Sequence, residues 1–217
     1  MIFHGQYGLI LRCRNAASVL AVTLVTLLSA AVQAETTRLL AFGDSLTAGY
    51  DLPGPAAFPA QLEKALRAKG LDVQVINAGV SGDTTAGALG RVDWALADKP
   101  SHAIVALGAN DMLRGLSPEQ ARDNLDAIIA KLKQGGVKVM LAGMLAAPNL
   151  GADYGRRFNA IYPDLAKKHD VPLYPFFLDG VAAEPKLNLG DGMHPNAAGI
   201  GVIVERMTPQ ILRFLGG

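Results

Sequence analysis

Four polar clusters interrupt an otherwise apolar chain of 217 residues. They are Gly43-Asp44-Ser45-Leu46-Thr47, Asn77-Ala78-Gly79-Val80-Ser81-Gly82-Asp83, Gly108-Ala109-Asn110-Asp111 and Asp191-Gly192-Met193-His194-Pro195-Asn196. Acyl transfer needs a hydroxyl nucleophile, an imidazole to take its proton, a carboxylate to orient the imidazole, and donors for the oxyanion. The clusters hold all of these. Ser45 sits between a strand and a helix, where its backbone N–H can also face a developing oxyanion. His194 follows Asp191 in a turn bearing Gly192 and Pro195, a spacing that suits a carboxylate bonded to Nδ1–H with Nε2 left for the serine. Gly79 has no side chain to shield its N–H, and Asn110 offers an amide. The expected catalytic set is therefore Ser45, Asp191 and His194, with oxyanion donors on Ser45, Gly79 and Asn110.

Each residue also has a commoner structural role. A serine after Gly-Asp at a strand end is usually a turn or cap residue, and Asn77 and Asn110 could simply satisfy turn backbone. Asp44 adjoins Ser45, and adjacent side chains diverge, so it orders the loop rather than serving as the triad acid. It stays a candidate substrate contact. Met112 and Leu113 belong to the core or to an acyl pocket beside Asn110, the core being the commoner place. Met144-Leu145-Ala146-Ala147-Pro148-Asn149-Leu150 is apolar and follows a strand, so Leu145, Ala147 and Pro148 are expected to border that pocket, with Met112 as a further candidate wall. His102 opens a strand and His169 ends a helix, both structural places. A metal site built from Asp44, Asp191 and His194 is a poorer alternative; the acyl-transfer set needs no metal or organic cofactor.

Positioning these clusters requires alternating strands and helices. Residues 38–42, 73–76, 102–107, 137–142 and 171–174 are short apolar runs that read as buried strands. Between and after them, residues 59–69, 84–97, 118–134, 153–169 and 196–214 carry helical signals, among them Pro59 near one start, the cap Ser117-Pro118-Glu119, and Gly70 or Gly135-Gly136 at the stops. Strands separated by helices of this length pair in parallel through right-handed crossovers. Apolar strands without alternation fit a sheet covered on both faces. The expected fold is one α/β domain, a three-layer α/β/α sandwich around a parallel sheet of about five strands. In such sheets ligands bind beyond the carboxyl ends of the strands, where three of the four clusters fall.

Residues 16–32 carry no charge, Arg12 and Arg14 precede them, and Val32-Gln33-Ala34 follows. This is the pattern of a signal peptide cleaved after Ala34. Residues 1–34 are therefore expected to be removed, leaving 35–217 as a single exported domain, periplasmic or secreted, with no lasting membrane span. Cys13, the one cysteine, leaves with the leader, so the domain must fold without disulfides. Lys and Arg number 20 against 19 Asp and Glu, which leaves no basic excess for nucleic acid.

The order and spacing of the clusters resemble the SGNH, or GDSL, hydrolase family. Residues 154–159 (Tyr154-Gly155-Arg156-Arg157-Phe158-Asn159) through Phe176-Phe177 are similar to its bacterial thioesterase I, protease I and lysophospholipase L1 branch, arylesterases included. The resemblance implies that Ser45 is the nucleophile, Asp191 and His194 complete the triad, and Gly79 and Asn110 match the glycine and asparagine of the intermediate blocks. It implies hydrolysis of esters, thioesters or lysophospholipids bearing an acyl or aryl group, through an acyl-enzyme and without cofactor. A carbohydrate O-acetylesterase of the same family is one alternative, and a periplasmic binding protein on a similar scaffold is another, though the latter leaves the Ser/Asp/His set unexplained.

Overall fold

The computed structural model describes Met1 and residues 36–216; the expected leader falls on residues outside the described part. Strands β1 (Thr37–Gly43), β2 (Val73–Gly79), β3 (His102–Ala106), β4 (Lys138–Ala142) and β5 (Leu173–Tyr174) form one parallel sheet in the order β2-β1-β3-β4-β5. Two short helices, α1 (Ser45–Ala48) and α4 (Ala109–Leu113), follow β1 and β3 directly. The longer ones are α2 (Phe58–Ala68), α3 (Thr85–Leu96), α5 (Pro118–Gln134), α6 (Ala152–His169) and α7 (Ala197–Gly216). Helix α2 packs with α7, while α3, α5 and α6 pack in succession, giving the helical layers on either side of the sheet.

Sequence explains the layering. Leu39, Leu40, Phe42, Ile104, Val105, Met140 and Leu141 are buried, and burying each such side chain contributes about 1.5–3 kcal/mol. The uniformly apolar pattern holds for β1, β3 and β4. It does not hold for β2, an edge strand that exposes Gln74 and Asn77. The last strand is shorter than its apolar run: only Leu173 and Tyr174 pair with β4, and Pro172, which has no N–H to give, adds a carbonyl that accepts from Leu141.

The order in which strands are added reverses at β1: β2 lies on one side of it, and β3, β4 and β5 follow on the other. Loops leaving β1 and β3 splay to opposite sides there, opening the crevice that ligands use in doubly wound sheets. Ser45 follows β1 and Asn110 follows β3, so the two flank that point.

Candidate active site

Immediately after Gly43 the backbone enters α1, with Asp44 as its cap: Oδ1 accepts the Leu46 N–H at 3.0 Å. Ser45 thus occupies the first helical position, where an N–H has no intrahelical partner. His194 arrives from far along the chain. Its Nε2 lies 2.9 Å from Ser45 Oγ, and its Nδ1 lies 2.6 Å from Asp191 Oδ2. Asp191 Oδ1 accepts the N–H groups of Met193 at 2.9 Å and His194 at 3.0 Å. The backbone N–H groups of His194 and Met193, with the His194 side chain, hold the Asp191 carboxyl down at about 2. Above that pH it is an acceptor only, so Nδ1 carries the proton and Nε2 is left to accept from the Ser45 hydroxyl. The stability this carboxylate contributes is present above the unfolded value of 3.8 and is lost as pH falls through about 2.

Tyr50 lies flat on the imidazole, ring centroids 4.3 Å apart and planes 28° from parallel. No local sequence pattern announces that contact. Asn110 donates from Nδ2 to the Asp83 carbonyl at 3.0 Å, which fixes the amide against the loop after β2. The neighbouring Asp111 is buried and holds the first turn of α3 through Thr85, whose N–H and hydroxyl donate to its carboxylate at 2.8 and 2.6 Å.

Gly79 corrects the sequence expectation. Its N–H already donates to Asn77 Oδ1 at 3.0 Å. It is a glycine because α1 lies on it: a Cβ there would meet the Ala48 nitrogen at 2.3 Å. Gly82 offers a donor in this loop whose place is fixed by a turn. Val80 and Asp83 close a turn through the Asp83 N–H and the Val80 carbonyl, and the φ of +81° at Gly82 is what the third position of a type II turn requires. The Gly82 N–H takes no part in that bond and has no backbone partner among the described residues. The signal was present in Ser81-Gly82-Asp83, a second glycine in the cluster placed for a turn.

Two candidate substrate contacts also move. Asp44 is 1% exposed and Met112 is 7% exposed, so neither lines an open wall. Met112 instead supports the segment after β4, its Sδ accepting the Ala147 N–H at 3.1 Å. Leu145 and Pro148 are exposed on that segment and Ala147 is half-buried. His102 and His169 are structural, as expected: the first packs edge-on against Phe214, and the second meets Asp126 at 2.6 Å. Among the described residues no group of three or more His, Cys, Asp or Glu side chains has a metal-holding arrangement, so Asp44, Asp191 and His194 do not form a ligand set. A cavity of about 960 Å³ lies between α2 and α7, lined by residues such as Ala65, Val204 and Leu212. It contains none of the residues above.

Burial raises the Asp44 carboxyl from 3.8 to about 6, and its Oδ2 has no partner. Between those two pH values the folded protein keeps a proton that the unfolded chain has released, so stability must fall as pH rises through that window. Asp44→Asn keeps the capping oxygen and removes the titration. Urea unfolding at pH 4 and pH 7 should show the variant losing on the order of 2–3 kcal/mol less than the parent over that interval. Equal losses in both proteins would refute this account of Asp44.

A model of the GDSL-like lipase/acylhydrolase family matches residues 41–200. An arylesterase of Vibrio mimicus is 39% identical over 197 residues, covering 90% of this chain and 98% of that protein. Thioesterase 1/protease 1/lysophospholipase L1 of Escherichia coli K12 is 39% identical over 189 residues, covering 87% of this chain and 88% of that one. Among solved structures, that of AlinE4, an SGNH-hydrolase family esterase, superimposes with a TM-score of 0.71 at 49% identity, covering 82% of this chain and 96% of AlinE4. With the family match spanning most of the fold, and relatives covered over most of their length, the chain belongs to the GDSL-like, or SGNH, lipase/acylhydrolase family of hydrolases.

Proposed function

We propose that this chain is a serine esterase that works through an acyl-enzyme, with Ser45 as nucleophile, His194 as base and Asp191 as the group that orients it. The supporting observation is the unbroken relay from Asp191 Oδ2 through the imidazole to Ser45 Oγ, in steps of 2.6 and 2.9 Å. His194 Nε2 takes the hydroxyl proton as Oγ attacks the carbonyl carbon. The resulting oxyanion faces the N–H groups of Ser45 and Gly82 and the Asn110 amide. Collapse breaks the bond to the leaving alcohol or thiol, which takes the proton from His194. Water then gives a proton to Nε2 and attacks the acyl carbon, and as the bond to Oγ breaks Nε2 returns that proton to Ser45, releasing the acid. No step uses a metal or organic cofactor.

The substrate reading rests on the rim. Tyr50, Val80, Leu113, Leu116, Leu145 and Met193 are large hydrophobic side chains left more than a third exposed. They sit on the segments that follow β1, β2, β3 and β4, Leu113 at the end of α4, and on the loop that carries His194. Apolar groups on five segments at the carboxyl-end side of the sheet, with Tyr50 stacked on His194, suit an acyl or aryl group rather than a sugar, in keeping with the relatives' names of arylesterase, thioesterase and lysophospholipase. Export after removal of residues 1–34 belongs to the same reading. Among the described residues no helix is long and apolar enough to cross a membrane.

A panel of p-nitrophenyl esters and acyl thioesters of graded chain length, run beside acetylated sugars, tests this. Turnover should favour the acyl and aryl substrates. Leu145→Ser should lower kcat/KM for the longer chains about 10-fold while sparing acetate, since an apolar wall discriminates by about 1–3 kcal/mol per methylene. Selective turnover of acetylated sugars would point to an O-acetylesterase, and turnover of none would point to a binding protein.

A further inference from the structure

We propose that Arg91 is the positioning residue of the oxyanion half of the site, an inference that rests on the esterase reading above. Arg91 lies on α3 and touches no member of the Ser45–His194–Asp191 relay. Its guanidinium reaches three separate segments. Nε donates to Asp83 Oδ2 at 2.7 Å, Nη1 to the Ala78 carbonyl at 2.9 Å, and Nη2 to the Gly43 carbonyl at 2.9 Å. The group also lies 4.3 Å from the centroid of the Phe42 ring. Its side chain is only 17% exposed and that of Asp83 10%.

These anchor points bracket the oxyanion donors. Gly43 is two residues before Ser45 and its carbonyl also accepts the Val80 N–H at 3.0 Å, so one oxygen ties the nucleophile's strand to the loop of Gly82. Asp83 is the residue after Gly82, and its own carbonyl receives the Asn110 amide at 3.0 Å. Arg91 therefore holds Asp83 by its side chain while Asn110 leans on Asp83's backbone. A shift of this segment displaces the Gly82 N–H and the Asn110 amide together and leaves the imidazole relay where it is. Lysine cannot substitute, because its ammonium is a compact point charge and lacks the planar fork that spans three acceptors. Asp83 in turn fits because Gly87 leaves room: a Cβ at that position would meet Asp83 Oδ1 at 2.1 Å.

The test measures kcat and KM of Arg91→Lys and Arg91→Ala on a p-nitrophenyl ester, alone and in the Asn110→Ala background. In Arg91→Ala kcat should fall roughly 10²-fold, the effect of losing one oxyanion donor, with KM changed less than about threefold. Arg91→Lys should recover no more than about a tenth of the parent rate. The pH at which activity falls on acidification should not move, since the relay is intact. In the Asn110→Ala background, Arg91→Lys should cost several-fold less than it does in the parent, because one of the donors it positions is already gone and the two effects do not add. A folded Arg91→Lys enzyme within twofold of the parent, or full multiplicative loss in the double variant, overturns the proposal. Should Arg91→Ala not fold, Arg91→Lys and Asp83→Asn carry the same comparison. A fully active Ser45→Ala control would instead fault the esterase reading, so the two failures are separable.

Discussion

Alanine at position 45 is expected to lower kcat for a short-chain p-nitrophenyl ester by roughly 10⁴–10⁶ and to abolish labelling by a fluorophosphonate, with the fold unchanged. The magnitude follows from what Ser45 does alone. In the proposed mechanism Oγ is the atom that bonds to the carbonyl carbon, and without it the imidazole can only deliver water from a site not shaped for it. Some rate survives because the remaining oxyanion donors still act. Stability should survive too, since Ser45 contributes to local structure through its backbone: its carbonyl accepts the N–H groups of Gly49 at 3.1 Å and Tyr50 at 3.2 Å. The cap belongs to Asp44. Steady-state kinetics, intact-mass detection of the fluorophosphonate adduct and circular dichroism through thermal unfolding would check the prediction together. Turnover close to the parent's in a folded variant would end the serine mechanism.

Legibility in the sequence followed the physics of each feature. Strands 38–42, 102–107 and 137–142 were readable because central parallel strands must be apolar on both faces, and they correspond to Thr37–Gly43, His102–Ala106 and Lys138–Ala142. The helix 118–134 was readable to the residue because Ser117, Pro118 and Gly135 are terminus signals with their own local chemistry. Helices α1 and α4 escaped, being a single turn each and too short for any hydrophobic period. Asp191 and His194 lie three residues apart, so spacing alone suggested their bond. Their meeting with Ser45 spans 149 residues and became legible only through the rule that such sheets gather their loops at one edge.

What stayed hidden was decided by packing at a distance. Expecting a donor at Gly79 follows from reading a glycine as an exposed N–H when it is a close approach of α1. The Tyr50 ring over His194 and the Arg91 guanidinium among three segments both join parts of the chain that no window covers. Arginine on a helix reads as a solvated charge unless the partners it reaches are known. The relay could be inferred from residue types; the Arg91 hydrogen bonds to Asp83, Ala78 and Gly43 could not.

Replacing Asp191 by asparagine isolates what the carboxylate charge does. In the parent, Oδ1 holds the Met193 and His194 N–H groups at 2.9 and 3.0 Å, while Oδ2 receives Nδ1–H at 2.6 Å. Asparagine keeps the first arrangement, because its carbonyl oxygen can accept both backbone donors. Its NH₂ then takes the place of Oδ2 and faces Nδ1 as a donor. The imidazole must accept there, which moves the ring proton to Nε2 and leaves nothing to take the proton from Ser45. A fall in kcat of about 10⁴ with the loop geometry retained is the expected result, and labelling by the fluorophosphonate should slow in parallel. Asp191→Ala is a blunter test, since it also releases two backbone donors and lets the loop move. Because the parent carboxyl lies at about 2, acidification to pH 4 leaves it ionised, and activity lost between pH 7 and pH 4 must come from another group. An Asp191→Asn enzyme within tenfold of the parent would show that His194 needs no charge behind it, and the orienting role assigned to Asp191 would fall.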